Sequence, residues 1–175
     1  TVLECGYRIQ IKGTPQEIWA PIQNIGGETG WYFGKALWKL RGDLDRLIGG
    51  FGLRRGRRHP SELRVGDAID FWRVLEVEPE RRLVLLAEMK VPGEALLEFR
   101  ITSRANDSEL ELLSRFLPKG LGGILYWYAF YPFHEWIFGG MLRALAGATG
   151  KSMIRGPQRF TPRLPDSCKL PQQKT

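Results

Sequence analysis

A chain of 175 residues with 43% apolar residues is long enough for one domain with a substantial core, and this length argues against two domains. The formal net charge is +7, and the only two cysteines, Cys5 and Cys168, lie near opposite ends with no His at ligand spacing. The sequence therefore indicates neither a disulfide framework nor a metal site, and we expect a protein of the reducing cytoplasm.

The first predicted elements are a strand and a capped helix. Residues 7–12 alternate between apolar and polar side chains, which is typical of a half-buried strand. Thr14, Pro15 and Glu17 then supply an N-cap, a first-turn proline and the carboxylate of a capping box. A short helix therefore follows the first strand directly.

A second helix is predicted over residues 36–48, followed by Gly49 and Gly50 as stop signals. Arg41 and Asp45 stand four residues apart, so they are placed to pair on the outer, solvated side of this helix. Its apolar stripe, on the opposite side, consists of Leu37, Leu40, Leu44, Leu47 and Ile48.

From residue 63 onward the pattern changes to four consecutive strands joined by short turns. These strands should pair antiparallel as a meander with one apolar and one polar face. Two polar residues share the apolar face, Arg73 beside Phe71 and Ser114 beside Phe116. A buried Arg73 needs an internal carboxylate, an acid group of a ligand, or a place at the sheet rim from which it reaches water.

The last long element is an unusually aromatic helix over residues 121–145. On a helical wheel its apolar side chains gather within roughly 60° of His134, the single titratable group of an aromatic wall. Glu135 and Pro132 argue against a membrane-spanning segment. The wall consists of Trp127, Phe130, Tyr131, Ile137, Phe138, Met141 and Leu145.

Together these elements predict an α+β fold in which a curved antiparallel sheet wraps around the long C-terminal helix. The helix stripe is the only apolar surface long enough to cover the sheet, and curvature leaves a cavity for a ligand between them. Residues 1–147 form this domain. Residues 148–175 contain several prolines and little apolar periodicity, and we expect them to form an extended tail.

A run of basic residues accounts for much of the positive charge. Two interpretations remain open for this run, a solvated loop or a site for anions such as an acidic partner, a phosphate or anionic lipid. No recognition helix or aromatic-interleaved motif accompanies it, so the sequence indicates no specific nucleic acid. The run consists of Arg54, Arg55, Arg57 and Arg58, followed by His59.

The order of elements resembles the START-like or SRPBCC helix-grip superfamily. More narrowly, the chain is similar to an uncharacterised family often found C-terminal to a short-chain dehydrogenase-like NAD(P)-binding domain. The strings that carry this resemblance are RGDLDRLIGG at 41–50, LRRGRR at 53–58, DFWRV at 70–74, AEMK at 87–90, YW at 126–127 and PFH at 132–134. No Gly-rich dinucleotide fingerprint occurs in this chain, so we expect no cofactor.

The resemblance implies a cavity protein, because superfamily relatives bind lipids, polyketides, hormones or other apolar molecules. It also implies an NAD(P)-binding domain in a longer chain, or a second copy, as a partner. We expect a small hydrophobic ligand to contact the apolar face of the sheet and the helix stripe. The expected ligand-binding residues are Phe71, Arg73, Met89, Phe99, Ser114, Trp127, Tyr131, His134 and Phe138.

Three classes of function follow. The leading hypothesis is a noncatalytic binding domain in which Arg73 and His134 supply the few polar contacts. The alternative is an enzyme of the polyketide cyclase or dehydratase type with His134 as general acid or base, a hypothesis that rests on analogy of fold. The third class is an interaction domain whose basic run docks an anionic surface, with peripheral membrane contact as one form of it.

Overall fold

The computed structural model describes residues 1–50 and 57–162. The elements in chain order are β1 (Leu3–Ile11), α1 (Pro15–Gln23), α2 (Lys35–Leu47), β2 (Ala68–Ile69), β3 (Trp72–Glu78), β4 (Arg82–Ala87), β5 (Gly93–Ser103), β6 (Ser108–Pro118), α3 (Gly120–Thr149) and β7 (Met153–Phe160).

The described strands form one antiparallel sheet of seven strands in the order β2-β3-β4-β5-β6-β1-β7. The predicted meander is confirmed, since β3 to β6 pair in sequence, and β1 then adds to β6. The sheet curves around α3, so the predicted α+β helix-grip fold is confirmed. Buried side chains of α1, α3 and one face of the sheet form a single core.

Helix α1 begins as the sequence predicts. The Glu17 backbone N–H donates to Thr14 Oγ1 at 3.3 Å, and the Thr14 N–H donates to Glu17 Oε2 at 2.9 Å. This reciprocal pair satisfies backbone donors that no helical carbonyl reaches, which is why the helix starts at Pro15. The capping box involves only residues close together in the sequence, so the sequence alone is sufficient to predict it.

Helix α2 lies within one residue of its predicted bounds, but the face expected to be buried is the one that is exposed. Its apolar stripe lies on the surface, with Leu47 82% exposed, while the buried positions are Gly42 and Asp45. The Asp45 carboxylate accepts the Lys90 backbone N–H at 2.7 Å, so the expected Arg41–Asp45 pair on a solvated face is wrong. A hydrogen bond to the β4–β5 connection, rather than leucine burial, sets the rotation of this helix.

Strand β3 departs from the predicted alternation. A β-bulge lies between Val74 and Glu76, and Trp72 and Val74 are the buried residues before it. The expectation that Arg73 lies on the apolar face is therefore wrong, because Arg73 falls between two inward-facing residues. Its guanidinium instead pairs with Glu88 of the neighbouring segment through two hydrogen bonds of 2.9 and 3.1 Å.

The region assigned to an extended tail contains the edge strand β7. It pairs with β1, and the ring of Phe160 lies against Gly6. Most of its side chains are exposed, and Pro157 suits an edge position because it has no N–H to donate, so apolar periodicity gave no sign of a strand. The rest of the expected tail, residues 163–175, lies outside the described residues.

The outer face of the sheet carries a buried carboxylate held by arginines. Glu98 is 1% exposed and accepts hydrogen bonds from Arg82 at 2.7 Å, Arg100 at 2.8 Å and Arg115 at 2.6 Å. Burial alone would raise the pKa of Glu98, but these hydrogen bonds and charges outweigh burial and hold the pKa below its ordinary value. The arginines thus join β4, β5 and β6 across their polar face.

We expect Glu98→Gln to lower the free energy of unfolding by about 3 kcal/mol, because it removes the charge that the guanidinium groups share. A lowered folded-state pKa contributes stability above the ordinary range of Glu, and this contribution is lost as pH falls through the folded-state pKa. Urea unfolding should therefore show a shallower loss of stability below about pH 4.5 in the variant.

The control is Glu76→Gln, which changes a half-exposed carboxylate that pairs with Arg82. It is expected to lower the free energy of unfolding by less than about 1 kcal/mol. Equal losses in both variants would contradict this assignment.

The first turn of α3 sits close to the β4–β5 connection. A Cβ on Gly123 would overlap the Pro92 carbonyl oxygen and the backbone of Pro118, whereas a Cβ on Gly122 would meet nothing within 4 Å. Gly123 is therefore the position at which the backbone of α3 can approach the sheet.

Gly123→Ala is expected to lower the free energy of unfolding by about 1–3 kcal/mol, because backbone must move to admit the methyl group. Gly122→Ala should raise it by up to about 1 kcal/mol, since alanine favours a helix over glycine. Chemical denaturation of the two variants measures the difference. Destabilisation of the same size at both positions would show that close approach is not the cause.

Candidate functional site

Helix α3 packs against the sheet through a row of neighbouring aromatic rings, called the ring row below. Trp127 stacks on Phe116 of β6 with centroids 5.8 Å apart and planes 9° from parallel. His134 follows two turns later, 4.8 Å from Trp127 and 5.2 Å from Phe138, whose ring in turn approaches Tyr7 of β1 at 6.1 Å. The row therefore crosses from the centre of the sheet to β1.

His134 is a neutral polar group within this row. Burial lowers its pKa to about 4, and its Nδ1 lies 3.9 Å from the sulfur of Cys5. Burial also raises the pKa of the Cys5 thiol to about 12, so neither group is charged near neutral pH. The pair is therefore a thiol beside an imidazole and not a thiolate–imidazolium nucleophile. Ser114 pairs with Cys5 in the strand register and shares its face.

The expected ligand-binding residues fall into separate groups. Trp127, His134 and Phe138 lie together in the ring row, and Tyr131 borders it at 6.3 Å from Trp127. Phe71 belongs to a second ring cluster with Trp38 and Trp72, at the turn between β2 and β3. Phe99 is fully buried in the sheet, and Arg73 lies away from the site on Glu88.

Two pockets formed by described residues lie outside the ring row. One, of about 70 Å³, lies beside Arg8 and Arg155, and the other, of about 390 Å³, lies beside Lys12 and Ser108. Neither is lined by an expected ligand-binding residue. A ligand cavity beside His134 therefore stays a prediction.

The ring row reaches the surface at one end, beside α2. Tyr126 lies 5.7 Å from Phe116 and 4.8 Å from Phe130, which is 41% exposed. The guanidinium of Arg41 lies over both rings of this pair and also contacts Met89. We call this end, formed by Arg41, Met89, Tyr126 and Phe130, the α2–α3 mouth.

Sequence reasoning found only part of the mouth. It named Met89 as a ligand-binding residue and Phe130 as part of the helix stripe, but it assigned Arg41 to a solvated face. The available signal was the spacing of Trp38 and Arg41, which are one turn apart and so share the face of α2 that packs inward. The spacing of the leucines favoured the opposite face of α2 as the buried one.

The basic run contributes to the fold where the structure describes it. Arg57 donates to the carbonyl oxygens of Ile25 at 2.8 Å and His59 at 2.6 Å, and Arg58 pairs with Asp67 at 2.9 Å. Arg54 and Arg55 lie outside the described residues. An anion site at this run stays a prediction.

No group of three or more His, Cys, Asp or Glu side chains within residues 1–50 and 57–162 is placed to hold a metal ion. Over the same residues, no helix combines the length and the apolar character needed to cross a membrane.

Comparison with known structures shows the same fold in proteins of very different sequence. The Zhui aromatase/cyclase from Streptomyces sp. R1128 is 12% identical, with 86% of this chain and 94% of that chain covered and a TM-score of 0.52. Norcoclaurine synthase from Thalictrum flavum is 9% identical, with 84% and 86% covered and a TM-score of 0.52. At such identities the likeness shows the helix-grip fold alone.

Comparison of sequences gives a narrower result. No curated protein matches this chain. The family model described as "Protein of unknown function (DUF2867)" matches residues 2–141. Because that match covers most of the chain, the protein belongs to the DUF2867 family.

Proposed function

We propose that this protein binds a small, largely apolar molecule between the sheet and α3, entering at the α2–α3 mouth. The observation that carries the proposal is the continuous ring row, which begins in the core at Phe116 and Trp127 and ends at the half-exposed ring of Phe130. Aromatic surface that water reaches at the end of a core is favourable for an apolar ligand, since covering it yields about 25 cal/mol per Å².

The proposed role is binding without catalysis. At neutral pH the imidazole of His134 is uncharged, because burial lowers its pKa to about 4, so it is a weak base and carries no acidic imidazolium proton. The thiol of Cys5 stays protonated for the same physical reason. These two neutral groups supply polar contacts within an apolar site and do not form an acid–base pair.

The alternative is an enzyme of the cyclase or dehydratase type. The fold shared with an aromatase/cyclase favours it, although one fold serves many functions. In such an enzyme His134 would act as a base, and another group would have to supply the proton. Retention of activity on a substrate after His134→Phe would exclude this role.

The binding proposal predicts saturable uptake of a neutral aromatic probe. Titration of 2-naphthamide into the intact protein should quench tryptophan fluorescence with a one-to-one stoichiometry, because Trp127 lies in the ring row. Phe130→Ala should weaken the affinity by about tenfold, since it removes a ring that the probe covers.

The matched control for this experiment is Tyr128→Ala. Tyr128 is an exposed aromatic residue on the same helix, outside the mouth, and its removal should leave the affinity within about twofold. Absence of saturable uptake by the wild-type protein would refute the binding proposal. Equal weakening by both variants would place the probe outside the mouth.

The buried imidazole predicts a specific dependence of stability on pH. The folded-state pKa of His134 is lowered to about 4 from 6.5, so the unfolded state binds the proton more tightly. The contribution of the neutral imidazole to the free energy of unfolding is complete above pH 6.5. As pH falls from 6.5 to 4, the free energy of unfolding decreases by on the order of 2–3 kcal/mol.

His134→Phe should remove this slope, as measured by urea unfolding at several pH values between 4 and 7. The control is His59→Gln, which changes an exposed histidine and should leave the slope unchanged. A slope that persists in His134→Phe and disappears in His59→Gln would contradict the burial of His134.

A further inference from the structure

The guanidinium of Arg41 has unusual partners for a charged group that is half-buried. Its Nε and Nη2 donate to the thioether sulfur of Met89 at 3.2 and 3.1 Å. Its central carbon lies 5.3 Å from the ring centroid of Tyr126 and 5.8 Å from that of Phe130. A thioether is a weak acceptor, and a cation–π contact at a partly exposed site contributes only about 0.5–1 kcal/mol.

Three arginines of β3, β4 and β5 have carboxylate partners. Arg73 pairs with Glu88, and Arg82 and Arg100 pair with Glu98. Within residues 1–50 and 57–162, by contrast, no carboxylate forms an ion pair with Arg41. Asp45, one turn along α2, is directed to the Lys90 backbone N–H instead. Arg41 therefore presents a planar cation with hydrogen-bond donors to the mouth.

From these contacts we infer that Arg41 binds the acidic group, a carboxylate or a phosphate, of an otherwise apolar ligand whose body covers Tyr126 and Phe130. The inference rests on the proposed function and names the chemical class of its ligand. A guanidinium suits this role because it forms paired hydrogen bonds with two oxygens of one acid group. The aromatic rings hold the cation in place before the ligand arrives.

The test compares three probes that share one ring system, namely 2-naphthoate, 2-naphthyl phosphate and the neutral 2-naphthamide. Their affinities for the intact protein are measured by calorimetry at pH 7.5. The wild-type protein should bind at least one acidic probe about tenfold or more tightly than the amide. The stronger acid tells whether the site takes a carboxylate or a phosphate.

Arg41→Met should abolish this preference while leaving the affinity for 2-naphthamide within about threefold. Arg41→Lys, which keeps the charge but loses the planar fork, should retain part of the preference. The matched control is Arg46→Met, which removes an exposed arginine of the same helix that pairs with Asp43. It should leave the preference for acid unchanged. Thermal unfolding of each variant establishes that it is folded.

The outcomes separate the two proposals. If the amide binds and the acids bind no more tightly, the role of Arg41 is wrong and the binding function stands. If the preference for acid survives Arg41→Met or is lost in Arg46→Met, the anion is bound elsewhere and the inference fails. If no probe binds to the wild-type protein, both proposals are refuted.

Discussion

The structure depends on the contact between the aromatic stripe of α3 and the curved sheet. Phe116 and Trp127 are its central pair, because they stack nearly parallel where the helix crosses β6. Removal of such rings from water supplies most of the driving force for docking a helix, and offset stacking adds roughly 0.5–1.5 kcal/mol. The backbone of α3 reaches this position because Gly123 has no side chain to meet Pro92 and Pro118.

The same contact sets the two ends between which the proposed ligand would bind. Around His134 the rings of Trp127 and Phe138 lie close to the imidazole, which is neutral near pH 7 because burial lowers its pKa to about 4. At the α2–α3 mouth the row ends in a half-exposed ring beside a cation. Apolar surface and a charged donor thus lie side by side at the α2–α3 mouth, which suits the amphipathic ligand that we propose.

Much of the fold is readable from the sequence because its signals are local or periodic. The capping box at Thr14 specifies where α1 starts, and the alternation in β4 to β6 matches the faces that the structure buries. The aromatic stripe of α3 likewise predicts its contact with the sheet. Each of these signals remains valid whatever the rest of the chain does.

The remaining features depend on tertiary contacts that no local pattern reports. The bulge after Val74 moves Arg73 off the apolar face, and the hydrogen bond from Lys90 to Asp45 turns the leucines of α2 outward. Strand β7 is held by backbone pairing at a sheet edge, so its side chains carry no alternation. The mouth was missed for the same reason, since the position of Arg41 follows from the rotation of α2.

The three methionines make possible the most direct test of where the ligand binds. Met89 lies in the mouth, Met141 is fully buried in the core, and Met153 is exposed on β7. Methyl NMR of methionine-labelled protein during titration with 2-naphthoate should move the Met89 signal most, Met141 less, and Met153 not at all. A shift of Met153 with an unchanged Met89 would contradict binding between the sheet and α3 at the mouth.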